Sequence, residues 1–177
     1  MSPSKNEEFK QLPRPLKQLP YAVSLQNLSV HISRSLNGAQ RPEILRPAPA
    51  LKELPSVLTP SNDRRVPFPP LMNYGYPLQI ERMDELLERK LNCPPGVLDA
   101  NPFDLIIHLQ HDVFQYGVKF QTVYCNGTET FFIAISSSWK PAPPHHMEEV
   151  VKKLQDFLEV DEEPVWCLDT NECYWKK

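Results

Sequence analysis

The chain has 177 residues, of which 41% are hydrophobic, and a formal net charge of −3 at pH 7. This length has room for one domain, or for one domain and a tail. No apolar run approaches the length of a bilayer span, and the first residues lack the apolar core of a secretory signal. We therefore expect an intracellular protein of the cytoplasm or nucleus, although a stretch with Ser and Arg and few acids after residue 20 leaves a mitochondrial location open.

The first 70 residues differ from the rest in composition. They hold twelve of the 20 prolines and carry ten Lys and Arg against five Asp and Glu, whereas residues 71–177 carry nine against seventeen. Pro removes backbone donors and disfavours helix at the preceding residue. The sequence therefore predicts a flexible, disordered or extended arm over residues 1–70 and a compact domain over residues 71–177. A basic arm beside an acidic domain suits an anionic partner or an arm that folds back, but its cations are too dispersed for us to expect nucleic-acid binding.

Two short patterns in the arm are candidates for binding other proteins. Leu-Lys-Gln-Leu-Pro at 16–20 recurs as Leu-Lys-Glu-Leu-Pro at 51–55, and two leucines three positions apart lie on one side of a helical turn. Residues 64–70 fit the R-x-x-P-x-x-P form of ligands for SH3-type grooves. Both patterns also arise by chance in sequence rich in Leu and Pro. The residues predicted to contact partners are Leu16, Leu19, Pro20, Leu51, Leu54, Pro55, Arg64, Pro67 and Pro70.

The domain is predicted to open with two helices. The first spans residues 78–92, where apolar residues recur at helical spacing and Glu85 is placed to pair with Arg89. The second begins at Asn101, an N-cap residue followed by Pro at the first helical position, and a strand through residues 105–109 is the alternative. The apolar stripe of the first helix is Ile80, Met83, Leu87 and Leu91.

A β-hairpin follows, because two runs of alternating apolar residues flank Asn126-Gly127, the strongest short hairpin signal. A two-residue loop pairs Cys125 with Thr128, and the register then places Phe120 opposite Ile133 on a buried face. The other face is only half apolar. Its residues are Lys119, Gln121, Val123, Phe132 and Ala134.

A third helix over about residues 146–160 and a final strand over residues 164–168 complete the domain. The helix has an apolar stripe and a Glu149–Lys153 pair on its outer side. The predicted architecture is a small single α+β domain with the order α-α-β-β-α-β, in which helices pack on the central hairpin. The stripe of the third helix is Met147, Val150, Val151, Leu154 and Leu158.

One polar constellation stands out. Asp104, His108 and His111 share one side of the predicted second helix, and three such groups within two turns suit a divalent metal. The alternative is a solvated helix face, which we favour, and we expect neither a metal nor a cofactor. The cysteines are spaced too widely for a structural zinc site, so Cys125 and Cys167 are interpreted as buried apolar thiols.

These observations favour a non-catalytic interaction or scaffold protein whose arm docks on other proteins, with no catalytic residue assigned. The alternative is a small enzyme whose site crosses the half-apolar hairpin face, with His108 or His111 as acid or base. An enzyme requires a concave pocket with shifted pKa values, whereas a scaffold requires an apolar patch or an ordered arm.

Overall fold

The computed structural model describes residues 5–12, 16, 48–63, 68–91, 118–173 and 175. Within these residues lie helices and a four-stranded antiparallel sheet, which confirms the α+β class. The helices are α1 (Lys5–Gln11), α2 (Ile80–Leu91) and α3 (Pro144–Leu158), and a 3-10 turn spans Ser56–Leu58. The strands are β1 (Met72–Leu78), β2 (Lys119–Cys125), β3 (Thr128–Ser137) and β4 (Val165–Asp169).

The hairpin of β2 and β3 has the predicted register. Cys125 lies opposite Thr128 and Phe120 lies opposite Ile133. Asn126-Gly127 supplies the turn, where the two residues have φ angles of 49° and 94°. A two-residue hairpin turn needs positive φ at both positions, and Asn followed by Gly adopts it at the lowest cost.

The four strands close into a small barrel. β1 pairs with β3 and β4, and β2 pairs with the same two strands, all antiparallel. The seam between β2 and β4 is short and contains the pairs Val123–Asp169 and Tyr124–Leu168. Next to this seam, Leu51 exchanges two backbone hydrogen bonds with Trp166 of β4, with N–O distances of 2.9 and 2.8 Å.

β1 corrects the predicted order, which begins with a helix at residue 78. Gly75 and Pro77 are both depleted in strands, and so the sequence pattern here does not predict one. The register shifts between Tyr74 and Gly75, which marks a bulge. A Cβ atom on Gly75 would lie 1.9 Å from the carbonyl oxygen of Ile133, so the close approach of the two strands requires glycine. The predicted second helix at Asn101 lies outside the described residues.

α2 and α3 cover one outer face of the barrel. α3 begins at Pro144, since Pro at the start of a helix loses no intrahelical hydrogen bond. The predicted stripe of α3 is confirmed, with Val150, Leu154 and Leu158 buried. The two helices and the sheet together form what we call the helical cluster. Its buried members are Tyr76, Leu78, Met83, Leu86, Val118, Ile133, Ile135, Val150, Leu154, Phe157 and Leu158.

The charged residues of the helices pair partly as predicted. Lys153 and Glu149 of α3 lie 2.7 Å apart, as expected. The predicted Glu85–Arg89 pair is wrong, because Glu85 binds Arg82 one turn earlier at 2.8 Å. Arg89 instead reaches the carboxylate of Glu159 at 3.0 Å. The acid that follows α3 therefore joins the two helices.

N-terminal residues cover a second outer face. α1, Leu16 and residues 48–58 pack there with Trp175. The Phe9 and Trp175 rings meet edge-on at a centroid distance of 5.6 Å, and the Trp175 indole N–H donates to the Leu16 carbonyl at 3.4 Å. The described parts of the predicted arm thus lie on the domain, and a boundary at residue 70 stays a prediction. The buried members of this N-terminal cluster are Leu12, Leu16, Ala48, Val57, Leu58, Met72, Tyr124, Leu168, Cys173 and Trp175.

The half-apolar face of the hairpin points into the barrel. Val123 and Phe132 are fully buried there, while Lys119 lies exposed near the strand end. One polar contact crosses the same interior, where the Asn73 amide donates to the Asp169 carboxylate at 2.8 Å. The buried residues of this interior cluster are Val123, Cys125, Phe132, Ala134 and Cys167.

Candidate functional site

A cleft of about 650 Å³ lies at the end of the barrel that carries the hairpin turn. Small-molecule and peptide sites in proteins have this size, and barrel mouths are a common place for them. Three parts of the chain build the walls: the end of β1 with the start of α2, the hairpin turn, and the loop after α3. The residues that line this mouth cleft are Tyr76, Pro77, Leu78, Gln79, Arg82, Cys125, Asn126, Thr128, Thr130, Leu158, Val160 and Glu162.

Hydrogen bonds across the wall fix the shape of the mouth cleft. The Thr130 hydroxyl donates to the Leu78 carbonyl at 3.3 Å and ties the hairpin to the end of β1. The Arg82 guanidinium donates to the Leu158 carbonyl at 2.9 Å and ties α2 to the last turn of α3. Because each tie joins two separate elements, the cleft is a preformed feature of the fold.

Tyr76 is the most unusual polar group of the mouth cleft. Its side chain is 5% exposed, and its hydroxyl has no hydrogen-bond partner. The Gln155 side chain lies close enough to lower the pKa of this hydroxyl, and its amide donates to the Glu162 carbonyl at 3.2 Å. A buried hydroxyl without a partner loses the hydrogen bonds that it would make in water. Its burial therefore costs the fold free energy.

Three ionisable groups that line the mouth cleft, Tyr76, Arg82 and Cys125, have shifted pKa values. Burial raises the pKa of Tyr76 to about 12, and the charge of Glu163 acts in the same direction. The hydrogen bond to Glu85 raises the pKa of Arg82. General acid–base catalysis works best with a group whose pKa lies near the working pH, and neither Tyr76 nor Arg82 meets that condition. The pKa of the third group, Cys125, is lowered by a hydrogen bond from Cys167.

Two cysteines were predicted to be buried apolar thiols, and the structure confirms it. Cys125 and Cys167 are free thiols in the interior cluster, with exposed fractions of 8% and 0%. Cys125 also lines the mouth cleft. Sequence spacing gives no sign that the two thiols meet, because they lie on strands that pair only through barrel closure.

The three described leucines of the repeated pattern, Leu16, Leu51 and Leu54, pack in the N-terminal cluster. Leu16 is fully buried in the N-terminal cluster, and Leu51 and Leu54 are partly buried against the same cluster. Pro55 is half-buried, and Pro70, the last residue of the R-x-x-P-x-x-P pattern, is buried. The remaining predicted contact residues lie outside the described part of the chain. They are Leu19, Pro20, Arg64 and Pro67.

A polar anchor for the N-terminal segment was not predicted. The Glu8 carboxylate of α1 accepts hydrogen bonds from the Ser56 hydroxyl and from the Val57 backbone N–H, the latter at 3.0 Å. It thereby caps the 3-10 turn, much as an acidic N-cap residue would. The two partners are 48 and 49 positions from Glu8, so no local sequence signal could have revealed the contact.

The candidate metal ligands Asp104, His108 and His111 lie outside the described residues. Among the residues that the structure describes, no group of three His, Cys, Asp or Glu is arranged to hold a metal ion. The helices in the described part of the chain are also too short or too polar to cross a membrane. Comparisons with protein-family models, with curated proteins and with solved structures find no match.

Proposed function

We propose that the chain is a non-catalytic, intracellular interaction or scaffold protein whose N-terminal leucine motifs bind partner proteins. The observation that carries the proposal is that both copies of the repeated pattern place leucines in the N-terminal cluster. Leu16 comes from the first copy, and Leu51 and Leu54 come from the second. Segments that fit an apolar groove of their own domain have the chemistry to fit a similar groove on another protein.

A partner protein could displace the first copy from its position in the N-terminal cluster. The polar contacts that hold α1 and Leu16 include the Glu8 capping bonds and the Trp175–Leu16 hydrogen bond. α1 has seven residues, and a helix of this length is not stable alone and can open at a smaller free energy than the core of the same protein. A partner with a stronger groove can therefore compete for the leucines without unfolding the barrel.

The mouth cleft supports binding more than catalysis. Tyr76 and Arg82, two of the three lining groups whose pKa values are shifted, stay protonated at neutral pH. Neither of these two groups can accept a proton from a substrate at that pH. A scaffold with a preformed cleft fits this chemistry better than an acid–base enzyme does.

The proposal is tested by affinity capture from native lysate with three forms of the full chain. Leu16→Ala removes a motif leucine, and Leu12→Ala removes an equally buried leucine outside both copies. Both variants loosen the N-terminal cluster, but only Leu16→Ala removes a predicted partner contact. Because two copies on one chain bind a dimeric partner bivalently, losing one should weaken capture by ~10²–10⁴-fold.

We expect Leu16→Ala to lose the captured proteins. Leu12→Ala should retain or enrich them, because it weakens the packing of the N-terminal cluster and makes Leu16 more available to a partner. Leu54→Ala and Leu58→Ala provide the same contrast for the second copy, because Leu58 is buried but lies outside it. Equal changes within each pair would show that the motif leucines serve only the fold of this chain.

A further inference from the structure

Cys125 and Cys167 occupy opposite positions on paired strands. The pairs Val123–Asp169 and Tyr124–Leu168 set the register of β2 and β4, and the next pair in that register is Cys125 with Cys167. The Thr170 backbone N–H donates to the Thr122 carbonyl at 3.1 Å. Since hydrogen-bonded and non-hydrogen-bonded pairs alternate along an antiparallel ladder, the two cysteines take a non-hydrogen-bonded position.

That position has the right spacing for a disulfide. Opposite residues of a non-hydrogen-bonded pair have Cα atoms about 4.5 Å apart, and disulfides span Cα distances of about 4.4–6.8 Å. The two thiols also interact with each other through a hydrogen bond. A hydrogen bond from Cys167 lowers the pKa of the Cys125 thiol, and the same contact, with burial, raises the pKa of Cys167. The shared hydrogen bond thus holds the two sulfurs in contact and favours ionisation of Cys125.

The two thiols differ in access as well. Cys125 lines the mouth cleft and keeps 8% of its surface exposed, whereas Cys167 is completely buried behind it. A reagent that enters the mouth cleft therefore meets Cys125 first. Thiolate character and access together decide which cysteine of a protein reacts.

We propose that Cys125 and Cys167 form a redox-active dithiol, in which Cys125 reacts with a small disulfide such as glutathione disulfide in the mouth cleft and Cys167 resolves the product. This site is independent of the proposed partner binding, because none of its residues belongs to the leucine motifs.

The reaction proceeds by two thiol–disulfide exchanges. The Cys125 thiolate attacks one sulfur of the small disulfide, forms a mixed disulfide and releases one thiolate. The Cys167 sulfur then attacks the Cys125 sulfur, the second small thiol leaves, and the proton of Cys167 goes to a released thiolate. The two cysteines are oxidised to one intramolecular disulfide, and the small disulfide is reduced to two thiols.

Oxidation would join β2 to β4 at their short seam. The seam contains two paired positions, whereas β2 and β3 share seven. A covalent bond beside it restricts the unfolded chain and holds the barrel closed. The oxidised protein should therefore have a Tm several degrees above that of the reduced protein, and the Cys125 sulfur should no longer react from the mouth cleft.

The test incubates the native, full-length protein with glutathione disulfide and follows each cysteine by acid quenching, intact mass and peptide mapping. In the wild type we expect a transient glutathione adduct on Cys125, followed by a Cys125–Cys167 cross-link. Cys167→Ser should stop at the adduct, and Cys125→Ser should leave Cys167 unmodified. The initial rate should rise with pH, because the thiolate is the nucleophile.

Three results would overturn the proposal. The first is a wild-type protein in which both thiols stay reduced while the urea-unfolded chain reacts. The second is an adduct on Cys125 that never proceeds to the cross-link. The third is attack at Cys167 in the Cys125→Ser variant at the rate seen for Cys125 in the wild type. The wild-type time course decides the first two even if a serine variant fails to fold.

Discussion

The two outer faces of the barrel are covered in different ways. The helical cluster is covered by α2 and α3, two regular helices of 12 and 15 residues whose apolar side chains recur at helical spacing. The N-terminal cluster is covered by a seven-residue helix, the buried Leu16 and the short stretch around the 3-10 turn. On this second face, polar contacts such as the Glu8 capping bonds help to hold the segment in place.

The difference concerns what holds each cover in place. An amphipathic helix of three or four turns buries a continuous stripe, and its backbone hydrogen bonds are satisfied internally. A seven-residue helix is too short to be stable alone and depends on the surface beneath it. We therefore expect the helical cluster to open only with the whole domain, and the N-terminal cover to open by itself at lower free energy.

Gly75→Ala should have the largest effect on stability. Gly75 lies in β1 between two packed aromatic residues: the Tyr74 ring stacks on Trp166, and Tyr76 belongs to the helical cluster. The new Cβ atom would lie 1.9 Å from a backbone oxygen that cannot move alone. We expect a loss of about 5 kcal/mol or more, enough to unfold a typical domain. Urea unfolding measures it, and Pro77→Ala, at an exposed site of the same strand, is the control. A Gly75→Ala protein of unchanged stability would contradict the close approach of β1 and β3.

Ile133→Ala and Leu12→Ala compare the two faces directly. Ile133 is fully buried in the helical cluster, so its truncation should lower the global free energy of unfolding by about 2–5 kcal/mol. Leu12 is 3% exposed in the N-terminal cluster, and its truncation should speed hydrogen exchange at residues 5–12 and 56–58 but not in the hairpin. Lys119→Ala, at an exposed site, should change neither. If Leu12→Ala speeds exchange throughout the hairpin, the two covers belong to one cooperative unit.

Tyr76→Phe should have the smallest effect at neutral pH, because its hydroxyl has no hydrogen-bond partner to lose. At alkaline pH the difference in stability between the wild type and Tyr76→Phe should grow. The fold raises the pKa of this phenol from its usual value near 10 to about 12, so the neutral phenol is favoured when folded. The resulting stability is present below pH 10 and is lost as the pH rises through 12. Alkaline unfolding curves that coincide for the wild type and Tyr76→Phe would contradict this assignment.

The elements that sequence predicts best are those with local signals. Asn126-Gly127 fixes the hairpin register through its turn geometry, and the register is confirmed at every paired position from Lys119 to Cys125. The apolar stripe of α3 is confirmed in the same way, because helical spacing is a property of neighbouring residues. α2 begins two residues later and ends one residue earlier than predicted, and α3 begins and ends two residues earlier, which is within the usual uncertainty of helix ends.

The contacts that sequence fails to predict join distant positions. β1 contains Gly75 and Pro77, which local propensity disfavours, and only its partners on β3 and β4 explain why it is a strand. The Trp175–Leu16 hydrogen bond spans 159 positions. The mouth cleft could not be predicted either, because β1, the hairpin turn and the loop after α3 meet only in the closed barrel.

Closure of the barrel also bears on self-association. In the described part of the chain, each of the four strands has a hydrogen-bonded neighbour on both sides, and Leu51 pairs with Trp166 where the seam between β2 and β4 runs out. Unpaired strand edges are the templates on which proteins polymerise into aggregates. Leu51 therefore protects the edge of β4 at Trp166, and loss of its two hydrogen bonds would expose backbone groups to which a strand of another molecule could pair.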